Sequence, residues 1–331
     1  MEKDFLRKIK AIAIGHAVGD ALGVPVEFSS REELKKNPVV DMRGYGTFPV
    51  PKGSWSDDTS MALCALDTMD GEKLNLTNVM KNFGSWYYGS AFTPTGVTFD
   101  VGGTCDYAIQ RFFDGATYKT CGAYDENSNG NGSLMRIYPF VIYTYLLDTN
   151  VKTKIQIIEL ASALTHAHPR SKIACGIYAF IMWELLDCTD FPAPKEAILR
   201  GLINAKNYYQ NNAEFEKHYC NLYQNIIHVD EFLGHLAISC TEKESDIFSG
   251  GYVVHTLEAS LWCLLTTSSY SDCVLKAVNL GSDTDTVGAI AGSLAGATYG
   301  YDQIPISWRT TLIGKEYIES LCDKAFAHKI K

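Results

Sequence analysis

The stretch "NLGSDTDTVGAIAGSLAGATYG" (Asn279–Gly300) joins two unlike halves. The first carries Asp283 and Asp285 interleaved with Thr284 and Thr286; the second is almost nothing but small residues. Gly288, Gly292, Gly296 and Gly300 recur every four residues, with Ala291 and Ala295 beside them. On a helix that spacing makes one stripe without side chains. Each interior glycine costs about 1 kcal/mol against alanine, so the pattern requires a compensation, and close approach of a neighbouring helix backbone supplies one. The segment reads as a buried central helix whose N-terminus carries "SDTDT" into the interior.

Burying carboxylates is expensive unless they are paired or metal-bound. Helix capping accounts for one of the two aspartates, but not for both together with two threonine hydroxyls. A phrase of the same kind stands far upstream, "GSWSDDTSMALCALDTM" (Gly53–Met69), where serine, two aspartates and a threonine open an apolar run. Two such clusters point to a shared metal site. Ser56, Asp57, Asp58, Asp283, Asp285 and Thr286 offer only hard oxygen donors, which suit Mg²⁺ or Mn²⁺ and not zinc. Carboxylates converging on one point repel each other, and two divalent cations offset that repulsion, so a two-metal centre is the economical reading.

Helical periodicity dominates the rest of the chain. Phe5, Ile9, Ile12, Val18 and Leu22 mark one face of a first helix that Gly23 and Pro25 end. Met61, Ala62, Ala65, Leu66 and Met69 mark another, opened by Asp58 and Thr59 as capping residues. Val254, Leu257, Leu261 and Leu264 repeat the spacing. Alternating strand patterns are scarce, so the expected fold class is all-α. Long Gly-, Pro-, Asn- and Asp-rich loops precede the apolar runs, and loops that long in a compact domain are usually functional. Asn211–Asp230 and Cys240–Asp246 read as polar surface connections. No boundary has the composition of a linker, so residues 1–331 are expected to form one domain.

Composition narrows the partners. With 46% hydrophobic and 20% charged residues among 331, the chain is globular. A net charge of −9 argues against a nucleic-acid partner. The longest strongly apolar run, Ile173–Trp183, is too short to cross a bilayer. At the N-terminus Glu2, Asp4, His16 and Asp20 break the signal-peptide pattern, so no membrane association is expected. Ten scattered cysteines without a CxxC pair suit free thiols in a reducing compartment and not structural zinc. A cytoplasmic monomer is expected.

The ordered phrases "GHAVGDALGVPVEF", "GSWSDDTSM", "FDVGGT", "NGNGSLMR", "THAHP", "GGYVVHTLEASLW" and "GSDTDTVGAIAGSLAGA" resemble the ADP-ribosylglycohydrolase family, which includes the dinitrogenase reductase-activating glycohydrolases and the ADP-ribosyl-acceptor hydrolases. The resemblance runs from about Ala11 to Tyr299 and leaves only Asn204–Ser249 without a motif. It implies a compact orthogonal all-α fold and a binuclear Mg²⁺ or Mn²⁺ centre that releases ADP-ribose from a modified side chain. It assigns Ser56 (often threonine in the family), Asp57, Asp58, Asp283, Asp285 and Thr286 to the metals, and Glu27 to their edge. Asp100 matches an aspartate that faces the scissile ribose in bacterial members. Asn129, Gly130, Asn131, Gly132 and Ser133 look like the family's phosphate-binding loop, a backbone N–H concavity that needs no lysine. His166 corresponds to a substrate-side histidine, and Tyr252 to an aromatic at the nucleoside end. Arg136 is expected to brace the loop, and His168 to pack or to cap a helix.

Glu27 and Asp100 are the expected catalytic carboxylates, and arginine is the expected acceptor, because a facing carboxylate suits a guanidine leaving group. Rival readings are another ADP-ribose linkage (serine, O-acetyl-ADP-ribose, a nucleobase), a two-metal phosphohydrolase, and a non-enzymatic crystallin-like protein. The intact aspartate clusters argue against the last.

Overall fold

The computed structural model describes residues 2–69, 74–188, 194–220, 227–230, 235–238, 243–328 and 330. In chain order the helices are α1 (Glu2–Gly23), α2 (Arg31–Lys36), α3 (Asp57–Leu66), α4 (Leu76–Gly89), α5 (Gly103–Phe113), α6 (Tyr138–Tyr145), α7 (Val151–Ala163), α8 (Pro169–Asp187), α9 (Pro194–Gln210) and α10 (Glu216–His218). After a short antiparallel hairpin follow α11 (Val253–Leu265), α12 (Tyr270–Val278), α13 (Thr284–Tyr299), α14 (Ile306–Thr311) and α15 (Lys315–Phe326). The fold is all-α, as expected.

The hairpin pairs β1 (Ile227–Asp230) with β2 (His235–Ile238), Ile227 opposite Ile238. It lies partly in the stretch read as surface connection, and so does α10. That stretch is not wholly a surface loop. Phe215 and Tyr219 are buried, and the Phe215 ring meets Tyr209 of α9 edge-on at 5.4 Å. Isolated aromatics among polar letters carry no readable period. Residues 221–226 and 240–242 lie outside the described residues.

The centre of the molecule is the antiparallel pair α1–α13. The glycine stripe of α13 meets a matching stripe on α1, Ala11, Gly15, Gly19 and Gly23. A Cβ added at Gly19 would lie 2.0 Å from the Gly288 carbonyl oxygen, and one at Gly292 would lie 2.2 Å from that of Gly15. A Cβ at Gly296 would lie 2.2 Å from the Ala11 carbonyl oxygen. Backbone contact along the interface, with its dispersion and Cα–H···O contributions, is the compensation that the three glycines within α13 require; Gly300, expected in the same stripe, instead ends the helix as its C-cap with φ of 84°. From Ala11 to Gly23 every residue of α1 is buried, although its first turns expose Asp4 and Arg7. Every residue from Thr284 to Thr298 is buried, as a helix apolar all round must be. By length and composition α1 is long and apolar enough to cross a bilayer, but 94% of that apolar window is buried inside the fold.

Around this pair stand α12 and α11 on the α13 side, α15 on the α1 side, and α3, which touches both central helices. The layer of α7, α8 and α9 packs beyond. The antiparallel register has one consequence for chemistry. At its end, a Cβ on Gly23 would lie 2.3 Å from the Asp285 backbone, so the C-terminus of α1 and the N-terminus of α13 meet, and the loop carrying Glu27 leaves from that point.

Candidate metal centre and active site

Three chain segments deliver carboxylates to the open end of α1–α13. The first is the N-terminus of α3. Its N-cap is Ser56, whose Oγ accepts from Asp58 N–H at 3.3 Å. The expected capping residues Asp58 and Thr59 therefore lie inside the helix. Correct capping by Ser56 is local chemistry and leaves both aspartate carboxylates uncommitted to the cap. The outer N–H groups of this turn are instead held by Asp20 of α1, which accepts from Ser56 N–H at 2.9 Å, Thr59 N–H at 3.1 Å and the Thr59 hydroxyl at 2.6 Å. Asp20 is fully buried, and burial pushes its carboxyl up to about 7. Sequence reading assigned it no role, although a carboxylate on an otherwise apolar helix was a usable signal.

The second segment is the N-terminus of α13. Asp283 occupies the N-cap position but makes no side-chain cap bond; its Oδ2 accepts from Asn131 Nδ2 at 2.7 Å instead. Asp285 Oδ1 accepts from Thr286 N–H at 3.0 Å, while Oδ2 has no partner among the described residues. The third segment is the turn after α1, carrying Glu27. Phe28 and Ser282 both adopt left-handed backbone conformations, with φ of 64° and 66°. Phe28 N–H donates to Ser282 O at 2.7 Å, and Ser282 N–H donates to Ser29 O at 2.8 Å. Two strained residues thus stitch the Glu27 turn to the Asp283–Asp285 turn.

Asp100 joins them from the loop before α5, again with positive φ, 54°. Glu27, Asp100 and Asp285 each place a carboxylate oxygen within 4.8 Å of the other two. Asp58 stands behind them, its Oδ2 accepting from Ser56 Oγ at 3.1 Å and Thr286 Oγ1 at 3.3 Å. Glu27 Oε2, Asp58 Oδ1 and Asp285 Oδ2 are buried without a hydrogen-bond partner. Burial, then Asp100 and Asp283, push Glu27 up to about 9. Burial raises Asp57, Asp58 and Asp285 well above the carboxylate range, each reinforced by its acidic neighbours. Asp100 and Asp283 are raised mainly by burial. No lysine or arginine forms an ion pair with any of these carboxylates among the described residues.

Carboxylates that repel each other, with unpaired oxygens aimed inward and only oxygen donors around them, fit hard divalent cations. A model of the ADP-ribosylglycohydrolase family matches residues 1–331. The chain belongs to the ADP-ribosylglycohydrolase family.

The chain spans most of the length of the relatives it matches. It is 31% identical to an ADP-ribosylarginine hydrolase, Tri1, of Serratia proteamaculans (strain 568), over 98% of this chain and 80% of that protein. It is 29% identical to the ADP-ribosyl-[dinitrogen reductase] glycohydrolase of Rhodospirillum rubrum, over 90% and 88%. A solved structure described as an ADP-ribosylglycohydrolase-related protein complex superposes with a TM-score of 0.75 at 28% identity, covering 99% of this chain and 100% of that one.

The glycohydrolase motifs on the far side of the carboxylates form one further wall. Within the Asn129–Ser133 loop, Asn131 N–H donates to Gly251 O at 3.0 Å, and Val253 N–H to Asn129 O at 3.0 Å. The loop therefore lies against Tyr252 at the start of α11 as an isolated bridge. One of the expected anion-facing amides, that of Asn131, is committed to this bridge. The Asn131 side chain holds Asp283 and also donates to Thr256 Oγ1 at 3.0 Å, a structural task that its place in a glycine loop did not reveal. Ser133 is fully buried and its Oγ accepts from Ser162 Oγ at 3.0 Å. His166 is buried against the two glycines of the loop. Tyr252 stays partly exposed, edge-on to His255 at 5.0 Å. His168 caps α8, accepting from Arg170 N–H at 3.3 Å.

Proposed function

We propose that this glycohydrolase cleaves the bond between ADP-ribose and an arginine side chain, reversing mono-ADP-ribosylation, with two divalent cations in the acidic centre. The observation that carries the reading is the meeting of Glu27, Asp100 and Asp285 within 4.8 Å with no cationic side chain among them. The name of the Serratia relative supports the arginine linkage, and that of the Rhodospirillum relative supports a modified protein as substrate.

Ser56, Asp57, Asp58, Asp283, Asp285 and Thr286 would hold the cations, Mg²⁺ or Mn²⁺, with Glu27 at their edge. Such ions, when bound, neutralise the carboxylates and supply Lewis-acid polarisation. The protein's own groups do the rest. Asp100 is partly exposed where Glu27 and Asp285 are buried, so it is the carboxylate of the three that meets the acceptor. It accepts hydrogen bonds from the guanidine N–H groups and stabilises positive charge developing on the ribose. Alone, burial and its acidic neighbours hold Glu27 protonated; with the cations offsetting that repulsion it would stand as a carboxylate and take the proton of the attacking water at Oε2, the oxygen left without a partner. Water adds at the anomeric carbon as the C–N bond breaks, the electron pair of that bond leaves on the guanidine nitrogen, and the proton taken by Glu27 passes to that nitrogen. The Asn129–Ser133 loop and His166 line the diphosphate side, and Tyr252 the nucleoside end.

Mass spectrometry of an ADP-ribosylarginine peptide after incubation tests this. Release of intact ADP-ribose and unmodified arginine is expected; release of AMP or phosphate would place the chemistry at the diphosphate instead.

A further inference from the structure

Arg136 follows the Asn129–Ser133 loop and is fully buried, yet among the described residues no carboxylate pairs with it. Its Nη2 donates to Thr165 Oγ1 at 2.7 Å and its Nη1 to the Ala161 carbonyl at 3.3 Å. Its guanidinium lies 4.8 Å from the centre of the Phe83 ring. The same Thr165 Oγ1 is 2.8 Å from Nδ1 of His166. The polarity of this chain of contacts follows from donor inventory. A guanidinium has donors only, so the Thr165 oxygen accepts from Arg136 and its hydroxyl hydrogen is left to be given away. The imidazole nitrogen of His166 is a better acceptor than the other candidate, the Cys105 thiol sulfur. Nδ1 then accepts, and the ring proton resides on Nε2.

The Nε2 edge of the ring faces the loop. A Cβ added at Gly130 would lie 3.5 Å from His166 Nε2, and one at Gly132 would lie 2.8 Å from Cε1. Gly132 gives the ring room to reach the loop surface, and at Gly130 the ring edge lies at ordinary contact distance. Burial and the Arg136 charge push His166 down to about 3, so the ring is neutral.

We infer that Arg136 and Thr165 are positioning residues that hold His166 as the Nε2–H tautomer, so that it donates a hydrogen bond to an oxygen of the ADP-ribose moiety at the Asn129–Ser133 loop. The inference rests on the reading of that loop as the diphosphate side of the proposed site. It goes beyond that reading in giving His166 a fixed polarity: a neutral donor, unable to act as a base toward substrate.

Long-range ¹H–¹⁵N correlation of the imidazole rings in the labelled full-length protein, with and without ADP-ribose, tests it. In the wild type, Nδ1 of His166 is expected to be pyridine-like and Nε2 pyrrole-like, with Nε2 shifting when ADP-ribose is added. T165V is expected to move the ring towards the Nδ1–H tautomer and to weaken ADP-ribose binding about tenfold, the scale of one lost hydrogen bond. T165S, which restores the hydroxyl, is expected to recover both. An Nδ1–H tautomer in the wild type would overturn the inference, as would a tautomer unchanged in T165V or an affinity unmoved by the flip. If T165V does not fold, the wild-type and T165S spectra decide alone. Failure of the proposed arginine activity would leave these spectra unaffected, which separates the two tests.

Discussion

Gly19 of α1 and Gly288 of α13 lie so close that a Cβ on Gly19 would sit 2.0 Å from the Gly288 carbonyl oxygen. The contact sets the register of the central pair and hence the distance from Asp20 and Glu27 to Asp285. Gly19→Ala gains about 1 kcal/mol of helix propensity but must force two backbones apart. Overpacking of this kind costs about 1–3 kcal/mol, and here no flexible side chain can yield. Urea unfolding should show a net loss of stability. Gly102→Ala, where nothing lies within 4 Å, is the control without that loss. A stabilised Gly19→Ala protein would contradict the register.

Asp285→Asn separates function from stability. The carboxylate is buried, with Oδ2 unpaired, and is raised by burial and then by Glu27, Asp58 and Asp100. Removing its charge relieves repulsion. The metal-free variant is therefore expected to melt at or above the metal-free wild type, while turnover falls by about two orders of magnitude or more. A variant that melts well below the wild type would make Asp285 a structural cap.

Much of this was legible in the letters, and the reason is physical. The four-residue glycine period of α13 demands a backbone partner whatever that partner is, so the central helix and its buried acidic end could be read from one segment. The partner stripe, Ala11, Gly15, Gly19 and Gly23, stands in the sequence too, but its pairing with α13 is a long-range fact. Asp20 was passed over because its task, holding N–H groups of α3, depends on that packing. Ser56 caps α3 where Asp58 and Thr59 were expected, since adjacent good capping residues differ only in local geometry. Asn131 was expected to face an anion with its backbone N–H, as the loop's resemblance implies; the bond of its side chain to Asp283 crosses between loops and is not visible in the letters. The β1–β2 hairpin left no alternating pattern strong enough to detect.

The acidic centre also sets the pH response of the metal-free protein. Glu27 is raised from 4.5 to about 9, so the stability this gives is complete below pH 4.5 and is lost as pH rises through about 9. Asp20, raised from 3.8 to about 7, acts in the same direction at lower pH. His16 and His166, lowered from 6.5 to about 4 and about 3, act oppositely: their contribution is present above pH 6.5 and is lost as pH falls. Melting temperatures without metal should decline from neutral pH towards pH 9, and saturating Mg²⁺ should flatten that decline. A metal-free melting temperature that rises over this interval would contradict the clustering.

Asp100 bears on the leaving group. A charge-assisted hydrogen bond to a guanidine is worth about 1.5–3 kcal/mol, and an alcohol gains less from a facing carboxylate. Asp100→Ala is expected to lower kcat/KM for an ADP-ribosylarginine peptide by about ten- to a hundredfold while changing the Kd for free ADP-ribose less. The wild type should prefer the arginine linkage to the serine linkage. Equal kcat/KM for the two would remove the role given to Asp100.

The central claim is that the carboxylates gathered by α1, α3 and α13 work only as ligands of divalent cations. Its most direct measurement is ADP-ribose release from an ADP-ribosylarginine peptide by protein stripped with EDTA and then titrated with Mg²⁺ or Mn²⁺. Turnover is expected to vanish on stripping and to return on titration, with calorimetry giving two ions per chain. Full turnover by the metal-free protein would contradict the account.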